Sequence, residues 1–206
     1  MSCTLFMGGP GSGKGTAINE IKKQANSQGR ALVVIAPDDV IESLDGYKEL
    51  RRQGESDTVA RSAYHAEGTA KAITMFKERV AKCQGEEIIF DNTGGNLTRY
   101  QDLINTAATH GLAVKIVLVF CDLQTCIQRA QARAVTTGQS VPETMVRNLH
   151  QTSLENLKTL GKQCSWMILG KRNCDPMEGK VVAHSLIPGN TDLLQTALSQ
   201  LIPVSV

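Results

Sequence analysis

The chain has 206 residues, of which 41% are hydrophobic and 20% charged, a composition that is ordinary for a globular protein with a sizeable core. Its 22 basic residues are nearly matched by 20 acidic ones, so the net charge of +2 predicts no nucleic-acid partner, and the 4% of aromatic residues disfavours a base-stacking platform. No apolar run approaches the roughly 18 residues of a membrane span and no signal-peptide pattern opens the chain, so we expect a soluble, cytoplasmic protein without a membrane partner.

Short apolar segments alternate with helical patterns along the chain. We predict strands at residues 4–9, 30–37, 86–92, 113–120 and 165–169, an added edge strand at 180–186, and helices at 14–27, 40–44, 58–83, 97–110, 124–137, 143–160 and 191–201, with a polar stretch at 45–57. Apolar strands separated by helices are typical of a parallel sheet covered on both faces, so we predict a doubly wound α/β fold with a five- to six-stranded sheet. Ligands in such folds bind beyond the carboxyl ends of the strands, where Asp38, Asp91 and a glycine-rich loop fall.

The six cysteines are scattered along the sequence without a CxxC pair, and the spacing of Cys121 and Cys126 has no second pair that would complete a zinc site. We therefore expect reduced and mostly buried thiols. The cysteines are Cys3, Cys83, Cys121, Cys126, Cys164 and Cys174.

The glycine-rich loop "GGPGSGKGT" lies between the first predicted strand and the first predicted helix. Its glycines let consecutive backbone N–H groups turn inward, the helix contributes its positive N-terminal end, and Lys14 supplies a point charge for the outer phosphates. The position after Lys14, where a hydroxyl usually holds Mg²⁺, is Gly15, so Thr16 is the candidate metal ligand of the loop. The predicted nucleotide-binding residues of the loop are Gly9, Pro10, Gly11, Ser12, Gly13, Lys14, Gly15 and Thr16. The "GKGT" ending resembles the loop of adenylate kinases.

Carboxylates follow the next two predicted strands. Asp38 and Asp39 end the second strand, where one of them is either a helix N-cap or the base that faces the γ-phosphate. Asp91 follows the third strand and leads into "NTGGN", which predicts a metal or substrate anchor beside a turn whose glycines, Gly94 among them, let the backbone approach a ligand. Glu67 on the long helix is a weaker candidate for the wall of the acceptor site.

Two arginines, Arg129 and Arg133, lie one helical turn apart on one face of the fifth predicted helix. The break that follows resembles the mobile lid of small-molecule kinases, so we expect a lid at about residues 134–142 within a single P-loop kinase domain over residues 1–206. The resemblance to adenylate kinases implies that Arg129 packs over the adenine and that Arg133 binds the phosphates.

The sequence also resembles the zeta-toxin family of P-loop kinases over roughly residues 4–170. The resemblance rests on "VVIAPDDVIESL", on "IIFDNTGGN", and most specifically on the segment from Val141 to Leu157. Adenylate kinases carry an Asp-Gly-Phe-Pro-Arg signature after their third strand, and this chain has "DNTGG" instead. The family implies that Asp38 is the base, with Asp39 as the alternative if the register shifts by one residue. It also implies that Asp91 and Thr93 lie in the acceptor-binding turn and that Arg133 holds the γ-phosphate.

Two departures from the zeta-toxin pattern are visible. Gly15 replaces a hydroxyl residue, and no second arginine lies between Arg133 and Pro142 unless Arg147 takes that role. The resemblance implies a kinase that uses ATP and Mg²⁺ to phosphorylate a small-molecule hydroxyl, with UDP-N-acetylglucosamine as the leading acceptor. A nucleoside or nucleotide kinase of the adenylate-kinase type, an antibiotic-like alcohol as acceptor, and an ATP-dependent switch without an acceptor remain open. A toxin role would call for a small antitoxin-like protein inhibitor as partner.

Overall fold

The computed structural model describes residues 1–170, 180–185 and 190–201. The strands in these residues are β1 (Ser2–Met7), β2 (Leu32–Ile35), β3 (Glu87–Asp91), β4 (Ala113–Phe120), β5 (Ser165–Gly170) and β6 (Lys180–Ser185). The helices are α1 (Lys14–Ser27), α2 (Pro37–Ser43), α3 (Asp45–Arg52), α4 (Asp57–Ala81), α5 (Leu97–Thr109), α6 (Leu123–Thr137), α7 (Glu143–Leu160) and α8 (Thr191–Leu201). Residue 186, at the end of the predicted edge strand, lies outside the described residues.

The strands form one sheet in the order β2-β3-β1-β4-β5-β6. The first five strands pair in parallel, and β6 pairs antiparallel with β5. From β1 the chain runs to the edge strand β2, returns to β3 beside β1, and then crosses to β4, β5 and β6 on the other side of β1. The doubly wound α/β prediction is confirmed, and the crevice beyond the carboxyl end of β1 is where this topology puts a ligand.

Hydrophobic residues cover both faces of the sheet because successive side chains of a strand point to opposite faces. Leu5 and Met7 of β1 belong to the larger cluster of buried side chains, which includes Phe76, Phe90 and Trp166. Phe6 belongs to a second cluster on the other face, together with Ile18, Ile89, Val117 and Val119. Each fully buried side chain of this size contributes roughly 1.5–3 kcal/mol, so the two clusters anchor the strand that carries the glycine loop.

Two segments differ from the sequence-based prediction. Pro37 begins α2 instead of ending β2, because its fixed φ suits the first position of a helix. Ala36 is the N-cap, so the interpretation of Asp38 or Asp39 as an N-cap is wrong, and both carboxylates occupy the first turn of α2. The polar stretch at 45–57 contains α3, whose first turn has Asp45 and whose last turn has two arginines, an arrangement that suits the helix dipole.

The connection between α6 and α7 is shorter than the predicted lid. Residues 134–137 continue α6, which ends at Thr137 and is capped by Gly138 in a left-handed conformation with φ of 73°. Only residues 138–142 therefore connect the two helices. Among the helices that the structure describes, none has the length and apolar character needed to cross a membrane.

Among the described residues, Cys3, Cys83, Cys126 and Cys164 are free thiols. Cys3, Cys121, Cys126 and Cys164 are buried and Cys83 is half-buried, as expected from their scattered positions. Burial raises the pKa of the Cys3 and Cys164 thiols to about 12, so both stay protonated at neutral pH. Cys174 lies outside the described residues.

Candidate active site

The glycine loop connects β1 to α1 and packs closely against α6 and α7. Gly11 and Gly13 have φ of 78° and 95°, and Gly13 is the N-cap of α1, so the free N–H groups at the start of the helix face the loop. A Cβ atom on Gly11 would lie 2.2 Å from the carbonyl oxygen of Cys126 in α6. A Cβ atom on Gly9 would lie 3.3 Å from the backbone nitrogen of His150 in α7. Position 11 therefore requires glycine, because its φ is positive and because α6 approaches the loop closely there.

Lys14 is the first residue of α1, and its Nζ donates a hydrogen bond to the Gly8 carbonyl oxygen at 2.7 Å. Burial lowers the pKa of Lys14, the negative charges of Asp91 and Asp38 oppose this shift, and the positive charge of Arg133 adds to it. Lys14, the predicted phosphate-binding residue, thus interacts electrostatically with the predicted carboxylates Asp91 and Asp38 and with Arg133, the predicted γ-phosphate arginine. Such interactions are typical of groups that belong to a single site.

Asp91 is the last residue of β3, and its backbone is paired with that of Phe6 in β1. Its Oδ1 atom is buried and has no hydrogen-bond partner among the described residues. Burial raises the pKa of Asp91, attraction to Lys14 opposes the shift, and repulsion from Asp38 and Asp39 adds to it. A buried carboxylate oxygen without a donor is costly, so this atom is suited to a cation or a hydroxyl group that a ligand brings.

The residues present fit a magnesium ion that is held mainly by nucleotide phosphates. Mg²⁺ usually keeps several water molecules and binds through one or two carboxylates together with phosphate oxygens. Asp91 supplies such a carboxylate, while Thr16 lies exposed on α1 beside Gly15. No group of three or more histidine, cysteine, aspartate or glutamate side chains in the described residues is arranged to hold a metal by itself.

The turn after β3 is fixed from two sides. The Gly8 backbone N–H donates to the Thr93 carbonyl oxygen at 3.0 Å, and the Asn156 side-chain amide donates to the Gly94 carbonyl oxygen at 2.7 Å. Gly94 has φ of 82°, and a Cβ atom there would lie 2.5 Å from the Met7 side chain. The turn therefore sits directly against the end of β1, beside the glycine loop.

Arg61 of α4 connects three carboxylates and was not predicted as a site residue. Its Nη1 lies 3.7 Å from Asp38 Oδ1, its Nε donates to Asp57 Oδ2 at 2.7 Å, and it forms an ion pair with Glu42. Tyr47 donates from its hydroxyl to Asp57 Oδ1 at 2.5 Å, and its ring centroid lies 5.8 Å from the Arg61 guanidinium carbon. The opposite charges of Asp57 and Arg61 at i, i+4 were the available signal in the sequence.

The two arginines of α6 occupy different surroundings. Arg129 is half-buried, and its Nη1 donates to the Gly11 carbonyl oxygen at 3.4 Å and lies 3.6 Å from the Cys121 sulfur. Arg133 is exposed one turn later and acts on Lys14 through its charge. Both predicted residues therefore belong to the helix that packs beside the glycine loop.

Three other candidates lie in less distinctive settings. Arg147 donates to Glu143 Oε1 at 2.6 Å and 2.9 Å, which forms an exposed ion pair on α7. Asp39 is exposed in the first turn of α2. Glu67 is exposed on α4 and makes no hydrogen bond or ion pair within the part of the chain that the structure describes.

Helix α7 contributes two further residues that the sequence patterns did not single out for the site. His150 contacts the Cys121 carbonyl oxygen through Nε2 at 2.9 Å, and its backbone packs on Gly9. Asn156 holds Gly94 and is buried, with 9% of its surface exposed. Asn156 belongs to the "SLENL" segment that carried the family resemblance, which was its only signal.

The sheet order, the glycine loop and the carboxylates at the strand ends are those of a P-loop kinase fold. Residues 2–175 match the family model of the zeta toxin, so the chain belongs to the zeta toxin family. No curated protein matches the sequence. The predictions of this fold and this family are confirmed.

Solved structures with the same fold include proteins of toxin and RNA-repair systems. The first belongs to the PezAT chromosomal toxin-antitoxin system of Streptococcus pneumoniae, with a TM-score of 0.69, 17% identity, and coverage of 100% of this chain and 79% of that one. A chain of AvrRxo1-ORF1:-ORF2 with ATP has a TM-score of 0.66, 14% identity, and coverage of 100% and 65%. A chain of the Pnkp1/Rnl/Hen1 RNA repair complex has a TM-score of 0.58, 15% identity, and coverage of 92% and 50%. At these identities the likeness shows the fold alone.

Proposed function

We propose that this protein is an ATP- and Mg²⁺-dependent phosphotransferase that moves the γ-phosphoryl group of ATP to a hydroxyl group of a small molecule. Membership of the zeta toxin family and the P-loop kinase fold support the use of ATP by a phosphotransferase. The observation that carries the proposal is the electrostatic attraction between Lys14, on the glycine loop, and Asp91 at the end of the adjacent strand, whose buried Oδ1 has no hydrogen-bond partner among the described residues.

The nucleotide lies along the loop from Gly9 to Thr16 in this proposal. Lys14 and Arg133 neutralise the charge of the transferred group, and Arg129 packs against the adenine. Asp91 and Thr16 are the residues that would hold Mg²⁺, which supplies further positive charge at the phosphates when it is bound. Phosphoryl transfer depends mainly on positioning and electrostatic stabilisation, which is what these groups provide.

The acceptor lies between α2 and the turn after β3. Asp38 orients the attacking hydroxyl and accepts its proton, Asp39 is the alternative base, and Asp91, Thr93 and Gly94 position the acceptor. Glu67 is a more distant candidate for an acceptor contact. The end of α6 and the connection to α7, residues 134–142, form a lid over the phosphates and exclude water from them. All of these parts belong to one kinase domain over residues 1–206.

The acceptor that we favour is UDP-N-acetylglucosamine, because the zeta-toxin resemblance extends to the residues around Asp38 and Asp91. A nucleoside or nucleotide is the alternative acceptor, although the adenylate-kinase signature after the third strand is replaced by "DNTGG". We also propose a small protein inhibitor as partner, which the toxin–antitoxin setting of the PezAT relative supports.

An acceptor screen tests the proposed activity. Purified protein is incubated with Mg²⁺-ATP and a panel of UDP-sugars, nucleosides, nucleotides and aminoalcohols, and both ADP release and product mass are measured. We expect a phosphorylated UDP-N-acetylglucosamine, and transfer by Lys14→Ala that is reduced by about 10²–10³-fold. A phosphorylated nucleotide would retain the phosphotransferase and change its acceptor. ADP release without any phosphorylated product would contradict the proposal and favour an ATP-dependent switch.

A further inference from the structure

The beginning of α4 contacts the connection between α6 and α7. The Thr58 hydroxyl donates to the Gly138 carbonyl oxygen at 3.1 Å and accepts from the Ser140 backbone N–H at 3.0 Å. A hydroxyl group has the one donor and the acceptor capacity that these two bonds require. Thr58 therefore forms both hydrogen bonds with residues that lie 80 and 82 positions further along the sequence.

The same helical turn carries Arg61, whose guanidinium group lies near Asp38. Asp57, which is 8% exposed, precedes Thr58 and accepts hydrogen bonds from Tyr47 and Arg61. Burial opposes ionisation of Asp57, but the hydrogen bonds from Tyr47 and Arg61 outweigh burial and lower its pKa. The Arg61 side chain is 14% exposed, and its Nη1 is a buried donor that lies 3.7 Å from Asp38 Oδ1 without a hydrogen bond among the described residues.

The beginning of α4 is a capped helical turn, and the helix packs closely against α2. Its first turn is capped by the Ser56 hydroxyl, which accepts from the Val59 backbone N–H at 3.2 Å. Gly68, two turns beyond Arg61, lets α4 approach α2 so closely that a Cβ atom there would lie 2.3 Å from the Ile41 side chain. A rigid helical turn transmits a displacement at Thr58 to Arg61, one turn away.

We propose that Thr58 and Arg61 are positioning residues that link residues 138–142 to Asp38. Thr58 holds the connection at one end of the helical turn, and Arg61, fixed by Asp57, holds the carboxylate at the other. The connection then covers the phosphates in the same conformational step in which Asp38 orients the acceptor hydroxyl. This inference rests on the proposed function for its catalytic meaning, while the mechanical link can be measured without activity.

Hydrogen–deuterium exchange tests the link directly. Thr58→Val removes the hydroxyl at nearly constant shape, and Thr58→Ser retains it. We expect Thr58→Val to accelerate exchange both in residues 138–142 and in residues 37–43, and Thr58→Ser to restore the wild-type pattern. Thr74→Val removes another α4 hydroxyl, which bonds only within its own helix, and serves as the matched control. Faster exchange confined to residues 138–142 would overturn the inference even if the protein is an active kinase.

Steady-state kinetics with the acceptor identified by the screen provides the functional readout. Loss of a hydroxyl with two hydrogen bonds is expected to reduce kcat about tenfold in Thr58→Val, with the KM for ATP nearly unchanged. Arg61→Lys should also reduce kcat, and the double variant should lose less than the product of the two single effects, because both residues act on one link. Independent, fully multiplicative effects would overturn the coupling. Failure of the wild type to transfer a phosphoryl group would instead overturn the proposed function. The exchange experiment would still show whether residues 138–142 and residues 37–43 are linked.

Discussion

The side-chain amide of Asn156 donates a hydrogen bond to the Gly94 carbonyl oxygen at 2.7 Å. A helix from the second half of the chain thereby holds the turn that follows β3, and the same turn accepts the Gly8 N–H of the glycine loop through Thr93. The nucleotide loop and the proposed acceptor turn are therefore parts of one hydrogen-bonded unit.

Asn156→Ala is expected to destabilise the protein by about 1–3 kcal/mol, because the Gly94 carbonyl oxygen loses its donor in a buried setting. We also expect a higher KM for the acceptor and little change in the KM for ATP, since the loop keeps its own contacts. Chemical denaturation and steady-state kinetics measure both effects. Gln151→Ala, which removes an exposed amide that bonds to Glu155 on the same helix, is the control. An unchanged acceptor KM in Asn156→Ala would argue against an acceptor role for this turn.

Asp91→Asn is expected to raise the melting temperature at neutral pH while abolishing transfer. Burial raises the pKa of Asp91 above its ordinary value of 3.8, so its contribution to stability is fully present below that value and is lost as the pH rises through the folded-state pKa. The amide imitates the protonated carboxyl, so the advantage of the variant should shrink as the pH falls through the folded-state pKa and should be lost below about 4.

Thermal unfolding without nucleotide, followed across pH, measures this difference. Glu20→Gln provides the comparison, because Glu20 forms only an exposed pair with Lys23 at 3.6 Å. A melting temperature of Asp91→Asn below that of the wild type at neutral pH would mean that attraction to Lys14 outweighs the cost of burial.

Gly15→Ser is expected to lower the Mg²⁺ concentration needed for half-maximal activity. A Cβ atom on Gly15 would meet nothing within 4 Å, so a side chain fits without displacement. The new hydroxyl would stand where a P-loop usually has its Mg²⁺ ligand. Gly15→Ala is the matched control, because both variants replace a helical glycine and should gain up to about 1 kcal/mol of stability. If serine and alanine give the same Mg²⁺ dependence, the hydroxyl at this position does not reach the metal.

The sequence predicted the parts of the fold that have strong local signals. The bounds of α1, β4 and α8 match the prediction, because a glycine loop, an uninterrupted apolar run and a periodic helix pattern mark them. Helix α3 was not predicted, since its eight residues are mostly polar and its burial depends on Tyr47 packing against α4. Its stability comes from tertiary contacts that no local pattern contains.

The candidate site was predictable only where a residue follows a strand or belongs to a motif. Asp38, Asp91 and Lys14 fall at strand ends or in the loop, and the structure brings their charges together. Arg61 and Asn156 act across the fold, so their partners in α2 and in the turn after β3 were not visible from sequence spacing. Only the family resemblance indicated the segment that contains Asn156.

The proposed mechanism is tested most sharply by measuring ADP release and phosphorylated product together, in the wild type and in Asp38→Asn, with Mg²⁺-ATP and UDP-N-acetylglucosamine. We expect equal amounts of ADP and phosphorylated product from the wild type. In Asp38→Asn we expect transfer to fall at least about a hundredfold while ATP affinity stays nearly unchanged, because in the proposed mechanism Asp38 acts on the acceptor hydroxyl and not on the nucleotide. Full transfer by Asp38→Asn, or parallel loss of transfer and ATP binding, would contradict the role of Asp38. ADP release by the wild type without product would contradict phosphoryl transfer to this acceptor.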